Sequence, residues 1–332
     1  MPPSASPAAA SATWSRLRPD SFTLLLVAVV ALASFLPASG AFAHGFHQAT
    51  VAAIALLFFL YGARLSTAAV IAGLVHWRLH LVVSAATWVL FPLLGVLAMQ
   101  LPESILPRPL ALGVLYLACL PSTVQSSIAF TSIAGGNVPA AICSATMSSL
   151  AGVVLTPVLV GVLMGASGGG VSFDSIRSIA LQLLAPFLAG HLSRPLTARW
   201  VERHKQLNAY TDRGTILMVV YGAFSEAVNQ GLWSRLTPGG LLAMAAVSCV
   251  LLAVMIFTTR EAARRLRFSW PDEIAIVFCG SKKSLATGVP MANVLFPPAV
   301  VGPMVLPLML FHQIQLMVCA VLARRWAEHP RA

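Results

Sequence analysis

The segment FCGSKKSLATGVP (278–290) places Lys282, Lys283 and Ser284 in surroundings that are otherwise apolar or small. Two ammonium groups there suit an anion, by direct pairing or through the field they create. A second polar cluster, PSTVQSS (121–127), offers the hydroxyl and amide oxygens of Ser122, Thr123, Gln125, Ser126 and Ser127. These are hard oxygen ligands of the kind a small cation takes. The chemistry in prospect is binding of a cation and an anion. The chain shows no catalytic triad and no zinc motif. The SGGG run at 167–170 has no strand before it and no Lys-Ser/Thr after it, so it is no phosphate loop. An enzyme is therefore disfavoured.

The solvent around those lysines follows from composition. Of 332 residues, 58% are hydrophobic and 9% charged, against about 25% charged in soluble domains. Mean hydropathy is +0.84. So little charge cannot cover a globular surface, and the chain reads as an all-α integral membrane protein in a lipid bilayer. Apolar runs of membrane-crossing length fall at about 21–39, 48–64, 79–99, 109–134, 138–164, 176–193, 211–228, 239–259, 272–295 and 299–323, giving about ten helices. No alternating pattern suggests a β-barrel. Residues 1–20 are Pro/Ala/Ser-rich and read as a disordered tail before one polytopic domain, 21–326. The five cysteines all lie in apolar runs and read as reduced.

The net charge of +11 sits in short clusters between spans, which argues against nucleic acid. With the N-terminus inside, the inner segments hold sixteen Arg and Lys residues; the outer ones hold Arg108, Arg177 and Arg235. This matches the positive-inside rule and predicts a multi-pass protein of the cell's inner (plasma) membrane with both termini cytoplasmic. The start RLRPDSFTLLLVAVVALASFLPASGAFA also resembles a cleavable signal peptide. Retention is expected, because an internal repeat uses the first span.

That repeat has a register of 160 residues. It pairs Tyr61 with Tyr221 and Cys119 with Cys279, and so relates spans one to five (21–164) to spans six to ten (176–323). An odd number of spans per unit inverts the second copy, an architecture of secondary transporters. The fourth and ninth spans are interrupted in corresponding places, at Pro121 and Gly280. A break at mid-membrane frees carbonyls and N–H groups that must line a protein-enclosed polar site. The register sets Lys282 and Lys283 opposite Ser122 and Thr123. A charge at such depth costs about 2.5–3.5 kcal/mol on insertion scales, yet the negative end of a half-helix favours it.

With these residues in place, the chain resembles the bile acid:sodium symporter family, in its symporter-like branch. The resemblance covers nearly the whole chain. It is carried by CLPSTVQSSIAFTSIAGGNVPAAICSATMSSLAGVVLTP (119–157), VYGAFSEAV (220–228) and FCGSKKSLATGVPMANVLFP (278–297). It implies two inverted five-helix repeats, a panel of spans 1, 2, 6 and 7, and a core in which broken helices 4 and 9 cross beside sodium and substrate. The family's Ser-Asn pair corresponds to Ser126-Ser127, and its Gln-Asn-Ser to Lys282-Lys283-Ser284. Phe278 stands where a sodium-binding glutamate is expected. Two hydroxyl ligands fall at Ala141 and Ala145, with Ser144 and Thr146 as substitutes. The departures open a reading in which a lysine fills the space of the cation.

Glu226 lies near the outer end of its span and is a candidate proton carrier or lysine partner. Gln313, beside His312 and Gln315, is a candidate core-lining residue. His44 and His47 in HGFH read as residues of an external loop. The expected function is symport of a bile-acid-like organic anion with a monovalent cation, sodium, and no other cofactor. Alternatives are a sodium-independent or proton-coupled carrier and a non-transporting regulatory protein of the same fold. A homodimer is an admissible assembly.

Overall fold

The computed structural model describes residues 21–64, 76–166, 184–229, 231 and 238–328. The tail at 1–20, the SGGG run and residues 176–183 of the expected sixth span lie outside them. The described helices are α1 (Ser21–Phe35), α2 (Gly40–Arg64), α3 (Trp77–Ala98), α4 (Arg108–Ala118), α5 (Gln125–Ile133), α6 (Val138–Ala166), α7 (184–192), α8 (Arg194–Arg203), α9 (Lys205–Asn229), α10 (Pro238–Arg265), α11 (Trp270–Gly280), α12 (Leu285–Leu295) and α13 (Pro298–Glu328). Among the described residues α2, α3, α6, α10 and α13 are long and apolar enough to cross a membrane, and α1 and α4 contain shorter apolar helices. The all-helical membrane architecture expected from composition is the one observed.

Both expected interruptions occur. The fourth span divides into α4 and α5, because Pro121 lacks an N–H and disfavours helix in the residue before it. The ninth divides into α11 and α12. The start of α11 is well specified: Ser269 caps it by accepting from Asp272 N at 3.4 Å, Pro271 lies in its first turn, and Asp272 and Glu273 favour its positive end. Ser284 caps α12, accepting from Thr287 N at 3.3 Å.

One loop expectation is corrected. His44 and His47 lie on α2, which begins at Gly40 and not near residue 48. Gly40 takes φ +57°, which glycine adopts freely, and no proline follows before Arg64.

Helix α9 packs on α1, α2, α12 and α13, whereas α11 packs on α3, α5, α6 and α10. Helices α2 and α7 cross at glycines. A Cβ on Gly62 would lie 1.9 Å from Phe187 O, and one on Gly190 would lie 1.9 Å from Phe59 O. Small residues permit this backbone approach in membrane bundles.

Candidate functional site

Where α4 ends, its carbonyls have no partners within the helix, and the second broken helix supplies them. Lys283 Nζ donates to Ala118 O at 2.8 Å and Leu120 O at 2.6 Å, and Ser284 N donates to Pro121 O at 2.9 Å. Thr156 Oγ1 on α6 closes Cys119 O at 2.9 Å. The exchange is reciprocal. At the end of α11, Ser122 Oγ donates to Cys279 O at 2.5 Å and Ser127 Oγ to Phe278 O at 2.9 Å. Each break thus uses the other's polar side chains to satisfy its freed carbonyls.

A third acceptor for Lys283 comes from α3. Residues Ala86–Leu90 form a π-turn, so Phe91 N donates to Ala86 O, five residues back. The next residue is Pro92, which has no N–H to offer. Thr87 O is left without a backbone donor, and Lys283 Nζ donates to it at 3.0 Å. Lys283 is fully buried, with the Phe91 ring centroid 4.3 Å from its ammonium. Its backbone is pinned as well: Lys283 N donates to Gln315 Oε1, and Gln315 Nε2 to Lys283 O, both at 2.9 Å.

Lys282 shares the burial and the aromatic neighbours but not the hydrogen bonds. Its Nζ has no hydrogen-bond partner among the described residues. Aromatic faces alone take the place of hydrogen-bond partners, with Nζ 4.3 Å from the Phe130 centroid and 5.2 Å from that of Phe278. Phe278, at the position expected for a glutamate, therefore offers the lysine a ring. Among the described residues no ion pair reaches either lysine.

The remaining sequence candidates fall in different places. Ser126 is hydrogen-bonded to Thr123 at the start of α5. Gln125 is exposed and lines a cleft with Arg64 and Asp212. Ser144 is paired with His80 Nδ1 at 2.7 Å, away from the break, and Thr146 is half-buried on α6. The α6 hydroxyls that reach the break are Thr156 and Ser148, which accepts from Ser122 N at 2.9 Å. Gln313 is half-buried, and it is Gln315 that faces the lysines. Glu226 lines a second cleft with His44 and His47.

The sequence profile of the SBF-like CPA transporter family matches residues 20–328. The chain belongs to that family. It is 60% identical over 308 residues to YfeH of Escherichia coli (strain K12), a provisionally named symporter, covering 92% of each chain. It is also 31% identical to sodium/bile acid cotransporter 7 of Mus musculus, covering 81% of this chain and 80% of the relative, and 29% identical to the Danio rerio protein of that name, covering 93% and 94%. The resemblance to the bile acid:sodium symporter family is borne out, and the protein is a multi-pass membrane transporter of that type.

Sodium, named in the two cotransporter relatives, fits the crossing poorly. The carbonyls of Ala118 and Leu120 at the crossing already serve Lys283. Ser127 is committed to Phe278 O, and Ser126 to Thr123. Among the described residues no group of three His, Cys, Asp or Glu side chains is placed to hold a metal ion.

Proposed function

We propose that this protein is a sodium-independent carrier of an organic anion, in which Lys283 is a permanent cation at the crossing of the broken helices. The observation that carries the reading is the convergence of three carbonyls on one ammonium at 2.6–3.0 Å. A bound ion there would bring its charge and leave with it; a covalently held ammonium supplies the charge throughout the cycle. Lys282, held over aromatic rings, is free to turn its charge towards an anion when the core moves against the panel. The reciprocal closure of the two breaks supports two inverted repeats. The arginine asymmetry supports an inner-membrane protein with both termini cytoplasmic.

Sodium-coupled symport is the second reading, favoured by the names of the relatives. Thermal melting of the purified protein in NaCl and in KCl at equal ionic strength separates the two. The melting point of the parent should be the same in both salts. In Lys283→Ala the emptied cradle should respond to sodium over potassium. A sodium-specific rise in the parent would overturn the proposal. In proteoliposomes, uptake of the organic anion should continue without a sodium gradient.

A further inference from the structure

Helix α8 (Arg194–Arg203) has two unlike sides. It follows α7 after Ser193, and Pro195 in its first turn has no N–H to continue the ladder. At about 100° per residue, Ala198 and Val201 share one side. Val201 is buried against Leu60 and Ala63 of α2, and both residues line the cleft of Arg64 and Asp212. Glu202, on the adjoining flank, lines the same cleft. Leu196, Arg199, Trp200 and Arg203 stand at i, i+3, i+4 and i+7, so they share the opposite side. All four are exposed.

This outward side is fixed in shape and carries charge that the protein leaves unpaired. His204 Nδ1 donates to Trp200 O at 2.8 Å, and its ring stacks on the indole with centroids 4.5 Å apart. Leu196 is 88% exposed, and Leu192, four residues earlier, is 78% exposed. Leu188, four earlier again on α7, is exposed as well. In a membrane transporter such a row meets hydrocarbon. It leads directly to Trp200, a residue type that favours the boundary between membrane and water. Arg199 and Arg203 flank the row at that level. The ion pairs among the described residues engage Arg64, Arg260, Arg264 and Arg265, and neither of these two. Residues one helical turn apart have Cβ atoms about 5–6 Å apart, close enough for both guanidinium forks to grip one phosphate.

We infer that the outward side of α8 is a docking surface for an acidic phospholipid. Leu196 and Trp200 take the upper acyl chain, and Arg199 and Arg203 take the phosphate. Charge complementarity selects this occupant. A zwitterionic headgroup carries its own cation beside the phosphate and gains less from two arginines. A soluble acidic protein could meet the arginines but not the leucine row. Because the other side of α8 walls the Arg64–Asp212 cleft, the bound lipid would brace that wall. No residue of the broken helices takes part, so the inference does not depend on which ion the crossing holds.

Phospholipids brominated on their acyl chains quench tryptophan fluorescence on contact. The purified protein in uncharged detergent is titrated with brominated phosphatidylglycerol and, separately, with brominated phosphatidylcholine. The Trp200 signal is the difference between the parent and Trp200→Phe. For that signal the phosphatidylglycerol midpoint should lie well below the other. Each arginine near an acidic lipid is worth about fivefold, and Arg199→Gln with Arg203→Gln should bring the two midpoints together. Should that variant fail to fold, the parent in 1 M NaCl gives the same test, because a screening length of about 3 Å should collapse the preference. Arg324→Gln with Arg325→Gln removes the same charge from the exposed end of α13 and should leave the preference intact. An absent Trp200 signal, equal midpoints in the parent, or a preference lowered as much by the α13 change as by the α8 change overturns the inference. So does displacement of the lipid by millimolar inorganic phosphate, which would mark a site for the free ion.

Discussion

Lys282 and Lys283 are neighbours in sequence and equally buried, yet their bonding predicts opposite behaviour on substitution. Lys283→Met removes three charge-assisted hydrogen bonds and leaves the carbonyls of Thr87, Ala118 and Leu120 without it. At about 1.5–3 kcal/mol for a bond to a charged group, the loss should reach at least ~3 kcal/mol and lower the melting point sharply. Lys282→Met deletes a buried charge with no hydrogen-bond partner among the described residues, so melting should stay level or rise. Anion uptake should be lost all the same. Equal destabilisation by the two changes would contradict the division of roles. The cost of burying two lysines was legible in the sequence. Which lysine anchors the crossing was not, because the Thr87 acceptor arises from a π-turn, and its one sequence signal is Pro92. The polar candidates on helices failed for a geometric reason. Gln313 and Gln315 lie about 200° apart around α13, so only one can face the break, and residue type does not say which. On α6 the useful hydroxyls are Ser148 and Thr156, two turns apart on one face. Ser144, one turn earlier, is taken by His80.

Among the helices, the interrupted pair was legible because proline and glycine act through the backbone itself. Pro121 lies within its break, and Gly280 is the last helical residue before the other. Helix starts were less legible. The beginning of α2 is exposed and carries two histidines, so hydropathy placed it too late. The close crossing of α2 with α7 also left only a faint trace, since a glycine in a span announces no particular neighbour. Its consequence is testable. In Gly190→Ala the new methyl carbon would lie 1.9 Å from the backbone oxygen of Phe59, an atom that cannot turn aside. The helices must separate, at a cost of about 1–3 kcal/mol for overpacking. Gly45→Ala, with nothing within 4 Å of the new carbon, is the matched control. It should be neutral or stabilise α2 by up to ~1 kcal/mol. Melting of the two variants side by side decides the matter, and equal melting points would refute the close crossing.

At the scale of the whole molecule, the two clefts at opposite ends of α2 and α9 give the protein two different faces. Arg64 and Asp212, 3.0 Å apart, join α2 to α9 at one of them. Three further ion pairs, Arg260–Glu273, Arg264–Glu273 and Arg265–Glu261, gather on α10 and the start of α11. The other face has the histidine-lined cleft and few basic residues. Cytoplasmic segments retain Lys and Arg, so the arginine-rich face should be cytoplasmic and the histidine-lined cleft should open outward. Two exposed positions report on this: Glu103 in the segment before α4, and Leu266 just after α10. A charged, membrane-impermeant maleimide applied to intact cells should label Glu103→Cys at once and Leu266→Cys only after the membrane is opened. The native cysteines lie within helices or at the central break, and the parent protein sets their background. The reverse pattern would invert the molecule. It would make the Arg64–Gln125–Asp212 cleft the outer one and turn the histidine-lined cleft to the cytoplasm.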